Sequence, residues 1–416
     1  GVRSLQTSTM NCLLMTIYQQ LGVQPIINAS GAVTRLGGAP MPPAVLDAFL
    51  AAAGESVPLE QLQAAASRQI AAATGAEAGL VTAGAASALT LGAAAILTGY
   101  DLHRMELLPR IDGSFPDEFI VAREQRNGYD HAVRAAGARL VEVGFHELVA
   151  GAGVRRAEVW EYEAAMTPRT AGVLYVFSPD SQPDLAALVA ACHARSVPVL
   201  VDAAGELPPR DNLRAIVRTG ADLVAFSGGK ALRGPQSTGI LCGRRELIGA
   251  AALQMLDMDD HFELWDPPAE LIDKSKLPGL PRHGIGRGYK VSKEQIIALL
   301  AALRMFASGD YDVELPGYRL RLERIAAALA GCAATTTMIE PDDGESMPLL
   351  EIEVDQAVLG RSALEVCRRL RAGAPPCYVG HAKLHAGKLV INPLHLDDAK
   401  AAAMGNRLRE ELAVRR

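Results

Sequence analysis

The sequence predicts an α/β protein, with a mostly parallel sheet in a large domain and a smaller α+β domain toward the C-terminus. Two patterns carry that expectation. Between about residues 70 and 245, short β-rich runs alternate with helical stretches across short connections, as strand–helix–strand units require. Several of those runs are apolar throughout instead of alternating, as expected of strands covered by helices on both faces. FIVAR (119–123), RLVEV (139–143), GVLYVF (172–177), PVLVD (198–202), DLVAF (222–226) and GILCG (239–243) read as strands. DHAVRAAGA (130–138), DLAALVAACHARS (184–196) and NLRAIVRTGA (212–221) carry helical spacing between them.

The pattern changes after residue 290. VSKEQIIALLAALRMFAS (291–308) is an amphipathic helix. It leads to helix 319–331, strand-like LLEIEV (349–354), helix 362–373, strand KLVINP (388–393) and a closing helix over 396–413. The expected division is a large domain over 45–295 and a small one over 296–416. Segment 15–44, with its loop at 28–38 rich in Gly and Asn, is expected to line the site. Residues 1–14 read as upstream or appended sequence before a natural start at Met15, and fit a signal peptide poorly. No internal repeat is visible.

Composition narrows the functional classes. The chain has 416 residues, 49% hydrophobic and 21% charged, which is globular and argues against disorder. Forty-one Lys and Arg against 47 Asp and Glu leave a net charge of −6, without a basic block, so no nucleic-acid partner is expected. The uncharged run Ala78–Tyr100 is long enough to span a bilayer. It is mostly Ala, Gly, Thr and Ser, which favours a buried helix entered through a glycine-rich turn, and no membrane association is expected. Six cysteines lie far apart with no metal-ligand spacing, so they are expected to be reduced thiols of a cytoplasmic protein, with no metal.

Three features fall where open α/β sheets bind ligands, at the carboxyl ends of the strands. TAGAASALTLGAAA (82–95) is a small-residue turn that opens a helix, where Gly84, Ala85, Ala86 and Ser87 can present free N–H groups to a phosphate. Close helix packing alone would also explain it. PVLVDAAGELPP (198–209) puts Asp202 last on a strand, which by itself is an ordinary turn-forming acid. In ADLVAFSGGKALRGPQSTGIL (221–241) a strand ends in Ser-Gly-Gly and reaches Lys230, either a solvated loop cation or a lysine projected into the crevice. Asp202 and Lys230 are 28 residues apart, one strand–helix–strand unit, so both can lie at the same edge of neighbouring strands. An aldehyde cofactor needs a lysine amine for a Schiff base, an acid to keep its ring nitrogen protonated and a helix N-terminus for its phosphate. The conjunction is far more specific than its parts.

Here the sequence resembles the fold type I pyridoxal-phosphate enzymes, more narrowly the group related to bacterial seryl-tRNA selenium transferase and D-glucosaminate-6-phosphate ammonia-lyase. The likeness spans residues 15–416 and rests on segments 23–43, 74–89, 126–144, 201–209 and 227–241. It implies a fold type I transferase with a seven-stranded, mostly parallel sheet. It implies pyridoxal 5'-phosphate as cofactor, Lys230 as Schiff-base lysine, Asp202 as partner of the pyridine nitrogen, and Ser227 with residues 84–87 as phosphate contacts. Relatives often carry histidine before the Arg-Asn of the third segment, beside the cofactor ring; here Gln125 stands there, which cannot titrate. The likeness also implies a homodimer or larger even assembly.

An amino-acid substrate brings a carboxylate, and a sugar-acid phosphate brings more negative charge, which guanidinium groups bind bidentately. Arg35, Arg287 and Lys290, the last two in the basic Gly-rich stretch 282–293, are the candidates for that role. That stretch reads equally as a solvated loop. His103, His381 and His385 have no supporting context. The expected activity is a lyase that eliminates water from a hydroxylated amino acid or amino sugar acid and releases ammonia and a 2-keto acid. Racemisation is the alternative; it needs a second acid such as Tyr129, His131 or a cysteine. Aminotransfer and a catalytically silent binding module are further alternatives. Selenium transfer is not expected, because the chain is acidic and opens directly on the catalytic region.

Overall fold

The computed structural model describes residues 15–145 and 156–414. The chain forms two compact units, one over Met41–Asp310 and one joining the residues up to Pro40 with those from Tyr311 onward. The boundaries differ from the expected 44/45 and 295/296 for a packing reason. Helix α5 (Lys293–Ser308) lays Ala298, Ala301 and Ala302 on Val45 of helix α1 (Pro43–Ala53) and also packs on helix α2 (Leu59–Thr74), so it belongs to the larger unit. Segment 15–44 is divided, because strand Ile27–Ala29 pairs in parallel with Cys377–Val379. The segment 1–14, expected to be upstream sequence, lies outside the described residues.

The larger unit is built on a seven-stranded sheet. Its strands are β1 (Ala78–Thr82), β2 (Glu118–Ala122), β3 (Arg139–Val143), β4 (Thr170–Val176), β5 (Val199–Asp202), β6 (Leu223–Ser227) and β7 (Gly239–Gly243). They lie in the order β1-β7-β6-β5-β4-β2-β3. Strand β7 is antiparallel to both neighbours, and the other pairings are parallel. The uncharged run 78–100 resolves into β1, a turn, and helix α3 (Ala85–Thr98). The small residues of α3 have a packing cause. A Cβ on Gly92 would stand 3.0 Å from Leu200 and 3.3 Å from Leu223, so the helix rides directly on the central strands. Larger side chains would lift it off the sheet. Helix α4 (Arg245–Met255) packs beside α3 and completes the main core.

The smaller unit has a three-stranded antiparallel sheet of Lys388–Ile391, Leu349–Val354 and Ala334–Ile339, in that order. Helices Leu315–Ala328, Ala363–Ala372 and Asp398–Leu412 bury Leu322, Ile325, Val366, Leu370, Met404 and Leu408 in a shared core with it. The outer strand Ala334–Ile339 alternates half-buried and exposed residues, as a one-sided edge strand must. Among the described residues, no helix is long and apolar enough to cross a membrane.

Candidate active site

Strand register assembles the site along one edge of the large sheet. Thr82 of β1 pairs with Gly239 of β7, and Gly239 pairs with Ser227 of β6. Ala225 of β6 pairs with Asp202 of β5, which pairs with Val176 of β4. With strands about 4.8 Å apart, these positions span the width of a small aromatic ring and its phosphate. Ser227, Asp202 and the start of α3 therefore share one edge.

Helix α3 begins there with an open N-terminus. Its N-cap Gly84 has φ +125°, and no side chain caps it. The first helical bond runs from Ala88 N–H to Gly84 C=O at 3.0 Å, so the N–H groups of Ala85, Ala86 and Ser87 precede any acceptor in the helix. Thr82 Oγ1 donates to the Gly84 carbonyl at 3.0 Å and fixes the turn. A Cβ on Gly239 would lie 2.4 Å from the Gly84 carbonyl carbon, so glycine at 239 lets the turn settle on the end of β7.

The Lys230 loop is equally constrained. Gly228 N–H donates to Thr238 C=O at 2.8 Å and Gly234 N–H to Gly228 C=O at 2.9 Å, folding the loop back on itself. A Cβ on Gly228 would meet Thr238 Oγ1 at 2.3 Å, and one on Gly229 would meet the Gln236 Cα at 2.5 Å. The two glycines before Lys230 are thus demanded by close backbone approach. Arg233 N–H closes the turn on Lys230 C=O at 3.0 Å, and Arg233 takes a left-handed φ of +61°. Lys230 itself is half-buried.

Asp202 is 8% exposed, and among the described residues its carboxylate accepts one hydrogen bond, from Ala204 N–H at 3.0 Å. Burial pushes its pKa above the ordinary carboxylate value, opposed by that bond and by the positive charge of Lys230. A second acid that the sequence did not single out stands close by. Glu206 is half-buried and interacts electrostatically with both Asp202 and Lys230; burial, then the Asp202 charge, raise its pKa. The signal was present in VDAAGELPP, where three residues separate the acids across a turn.

Gln125 is 7% exposed just beyond β2. Its Oε1 accepts from Val176 N–H at 3.0 Å and its Nε2 donates to Gln182 C=O at 3.2 Å, so the amide holds the segment leaving β4. Among the described residues of the larger unit, no contact gathers Arg287 or Lys290 beside Lys230. Arg287 donates to Asp257 at 2.6 Å, and Lys290 is exposed. Arg35 lies in the smaller unit, 5.8 Å from the Tyr378 ring centroid in a cation–π contact.

A solved structure of D-glucosaminate-6-phosphate ammonia-lyase matches 96% of this chain and 98% of its own, at a TM-score of 0.78 and 28% identity. The fold is that of the fold type I pyridoxal-phosphate-dependent transferases. The chain belongs to the L-seryl-tRNA selenium transferase (SelA) family, whose model matches residues 26–259. Among characterised relatives, the 5'-C-glycyluridine monooxygenase-decarboxylase of a Streptomyces species is 33% identical across 95% of this chain and 92% of its own length. The D-glucosaminate-6-phosphate ammonia lyase of Salmonella typhimurium is 30% identical across 95% of this chain and 97% of its own.

Proposed function

We propose that the chain is a pyridoxal-phosphate-dependent lyase that removes water and then ammonia from a hydroxylated amino acid or amino sugar acid, of the D-glucosaminate 6-phosphate type, leaving a 2-keto acid. The observation that carries this reading is the placement of Lys230 within electrostatic reach of a desolvated Asp202, on the sheet edge that also holds the bare N-terminus of α3. The residues fit the cofactor. The N–H groups of Ala85, Ala86 and Ser87 lack helical acceptors, as a phosphate site requires, with the Ser227 hydroxyl on the adjoining strand end. Asp202, a buried residue whose carboxylate accepts one hydrogen bond among the described residues, is suited to hold a protonated ring nitrogen.

Pyridoxal phosphate, when bound, supplies an electron sink for negative charge at the substrate Cα. The chain's own groups do the rest. Lys230 Nζ would hold the cofactor and is the base that would take the Cα proton. Asp202 keeps the ring nitrogen charged. Gln125 holds the β4 exit segment in place and moves no proton. Water leaves from Cβ, and the released unsaturated amine takes up water to give ammonia and keto acid. Arg35, Arg287 and Lys290 remain the cations proposed for the substrate's anionic groups, with Arg287 required to exchange Asp257 for the substrate. The free, mostly buried thiols among the described residues support a cytoplasmic enzyme, and an even-numbered homo-oligomer is proposed as the likeness to fold type I enzymes implies.

The test is incubation of the pyridoxal-phosphate-loaded enzyme with D-glucosaminate 6-phosphate, D-serine and L-serine, assaying ammonia and keto acid together. Equal amounts of both from at least one substrate support the lyase. Solvent deuterium at Cα without product would replace it with a racemase. Carbon dioxide release with oxygen uptake would replace it with the chemistry named for the Streptomyces relative.

A further inference from the structure

Elimination of a hydroxyl group needs an acid, because hydroxide is a poor leaving group. In the proposed lyase, on which this inference rests, Lys230 takes the Cα proton, Asp202 is committed to the ring nitrogen, and Gln125 carries no titratable proton. We propose that Glu206 is the acid that protonates the departing β-hydroxyl.

The geometry singles it out. Glu206 lies four residues beyond Asp202, on the loop leaving the site end of β5. Its backbone is fixed at both ends: its N–H donates to Ala203 C=O at 3.2 Å and its carbonyl accepts from Asn212 Nδ2 at 2.7 Å. Its carboxyl group is not tied down in the same way. Among the described residues it accepts no hydrogen bond, although the residue is half-buried and lies within electrostatic reach of the Asp202 and Lys230 charges. A half-buried carboxyl without a protein partner is free to meet a substrate hydroxyl. Burial and the Asp202 carboxylate both favour the protonated form that the role requires.

The step balances. The Cβ–O bond breaks with its electron pair on oxygen, which takes the Glu206 proton and leaves as water. The proton removed from Cα sits on Lys230 Nζ and then passes to the Glu206 carboxylate. Both groups return to their starting states, and no oxidant or reductant is consumed.

Glu206→Gln and Glu206→Asp in the loaded enzyme test the role, with D-glucosaminate 6-phosphate in deuterated water. Three readouts are taken: ammonia release, deuterium at Cα of recovered substrate by NMR, and pyridoxal phosphate affinity by absorbance titration. E206Q is expected to release ammonia about 100-fold more slowly or worse. It should still exchange the Cα proton within about 10-fold of wild-type turnover and bind cofactor within about 3-fold of wild type. E206D should recover part of the ammonia release. Where E206Q fails to fold, E206D decides by the same ratio of ammonia release to exchange. Unchanged ammonia release, or exchange and release falling together, overturns the role while leaving the lyase standing. A wild type that releases no ammonia overturns the lyase reading and, with it, this role.

Discussion

Gly239 at the start of β7 and Gly84 at the head of α3 touch backbone to backbone: a Cβ added at 239 would stand 2.4 Å from the Gly84 carbonyl carbon and 2.6 Å from the Ala85 nitrogen. Two positions 155 residues apart in the chain therefore form one surface at the proposed phosphate site. Gly239→Ala should displace that turn, costing about 1–3 kcal/mol in stability. It should also weaken pyridoxal phosphate binding by about 10-fold or more, equivalent to about 1.4 kcal/mol. Chemical denaturation and cofactor titration check both, and wild-type affinity in the variant would refute the contact's importance.

Asp202 sets stability against function. Its folded pKa is raised, so its contribution to stability is fully present below the ordinary carboxylate value and lost as pH rises through the raised one. Without cofactor, Asp202→Asn should therefore melt higher than wild type near neutrality, by roughly 2 °C, with the gap closing toward about pH 4. With cofactor, the same variant should lose about 100-fold or more in turnover. Paired melting curves and assays would contradict the account if the variant melted lower without cofactor or kept full turnover.

Gln125 holds the exit of β4 through two hydrogen bonds, to Val176 and Gln182. Gln125→Ala leaves the Val176 N–H and the Gln182 carbonyl without those partners and should cost about 1–3 kcal/mol. Hydrogen exchange should rise over residues 176–183, well before any global opening. Gln125→Glu keeps the acceptor and loses the amide donor, so its protection should lie between wild type and the alanine variant. Protection unchanged at Val176 in the alanine variant would contradict this role.

The cysteines should differ sharply in reactivity. Burial pushes the Cys192 and Cys242 thiols up to about 12 and Cys377 to about 11, which leaves about one thiolate in a thousand or fewer at pH 8. Cys332 is only partly buried. Mass mapping after brief iodoacetamide treatment of the native protein should find Cys332 alkylated before Cys192, Cys242, Cys367 and Cys377, and modification of Cys242 before Cys332 would contradict the packing described.

Much of this was legible in the sequence because the large sheet is buried. RLVEV, GILCG and LLEIEV match their strands at both ends, and the strand runs around Asp202 and Ser227 fall within two residues. Strand β1 was not legible. AGLVT is short and shares the small-residue character of α3, so the run 78–100 showed only the turn and the helix, and the pairing of Thr82 with Gly239 reveals the strand before them. The Asp202 and Lys230 placement followed from one strand–helix–strand unit between them, which fixes a sheet edge without coordinates. Glu206 did not stand out, because a loop acid is ordinary until burial and two charged neighbours distinguish it. The commitment of Arg287 to Asp257 was equally invisible, since residues 30 apart in loops carry no pairing signal. The unit boundaries moved because α5 is amphipathic toward α1, and a helix's period does not say which neighbour its apolar stripe meets.

The central claim is a covalent tether at one lysine. The most direct measurement is to add pyridoxal phosphate, reduce with borohydride and map the labelled peptide by mass spectrometry, in wild type and in Lys230→Ala. The account predicts one pyridoxyl group on the peptide containing Lys230, absent from K230A, together with a turnover loss of about 1000-fold or more in that variant. A label on another lysine, or none in wild type, would contradict it.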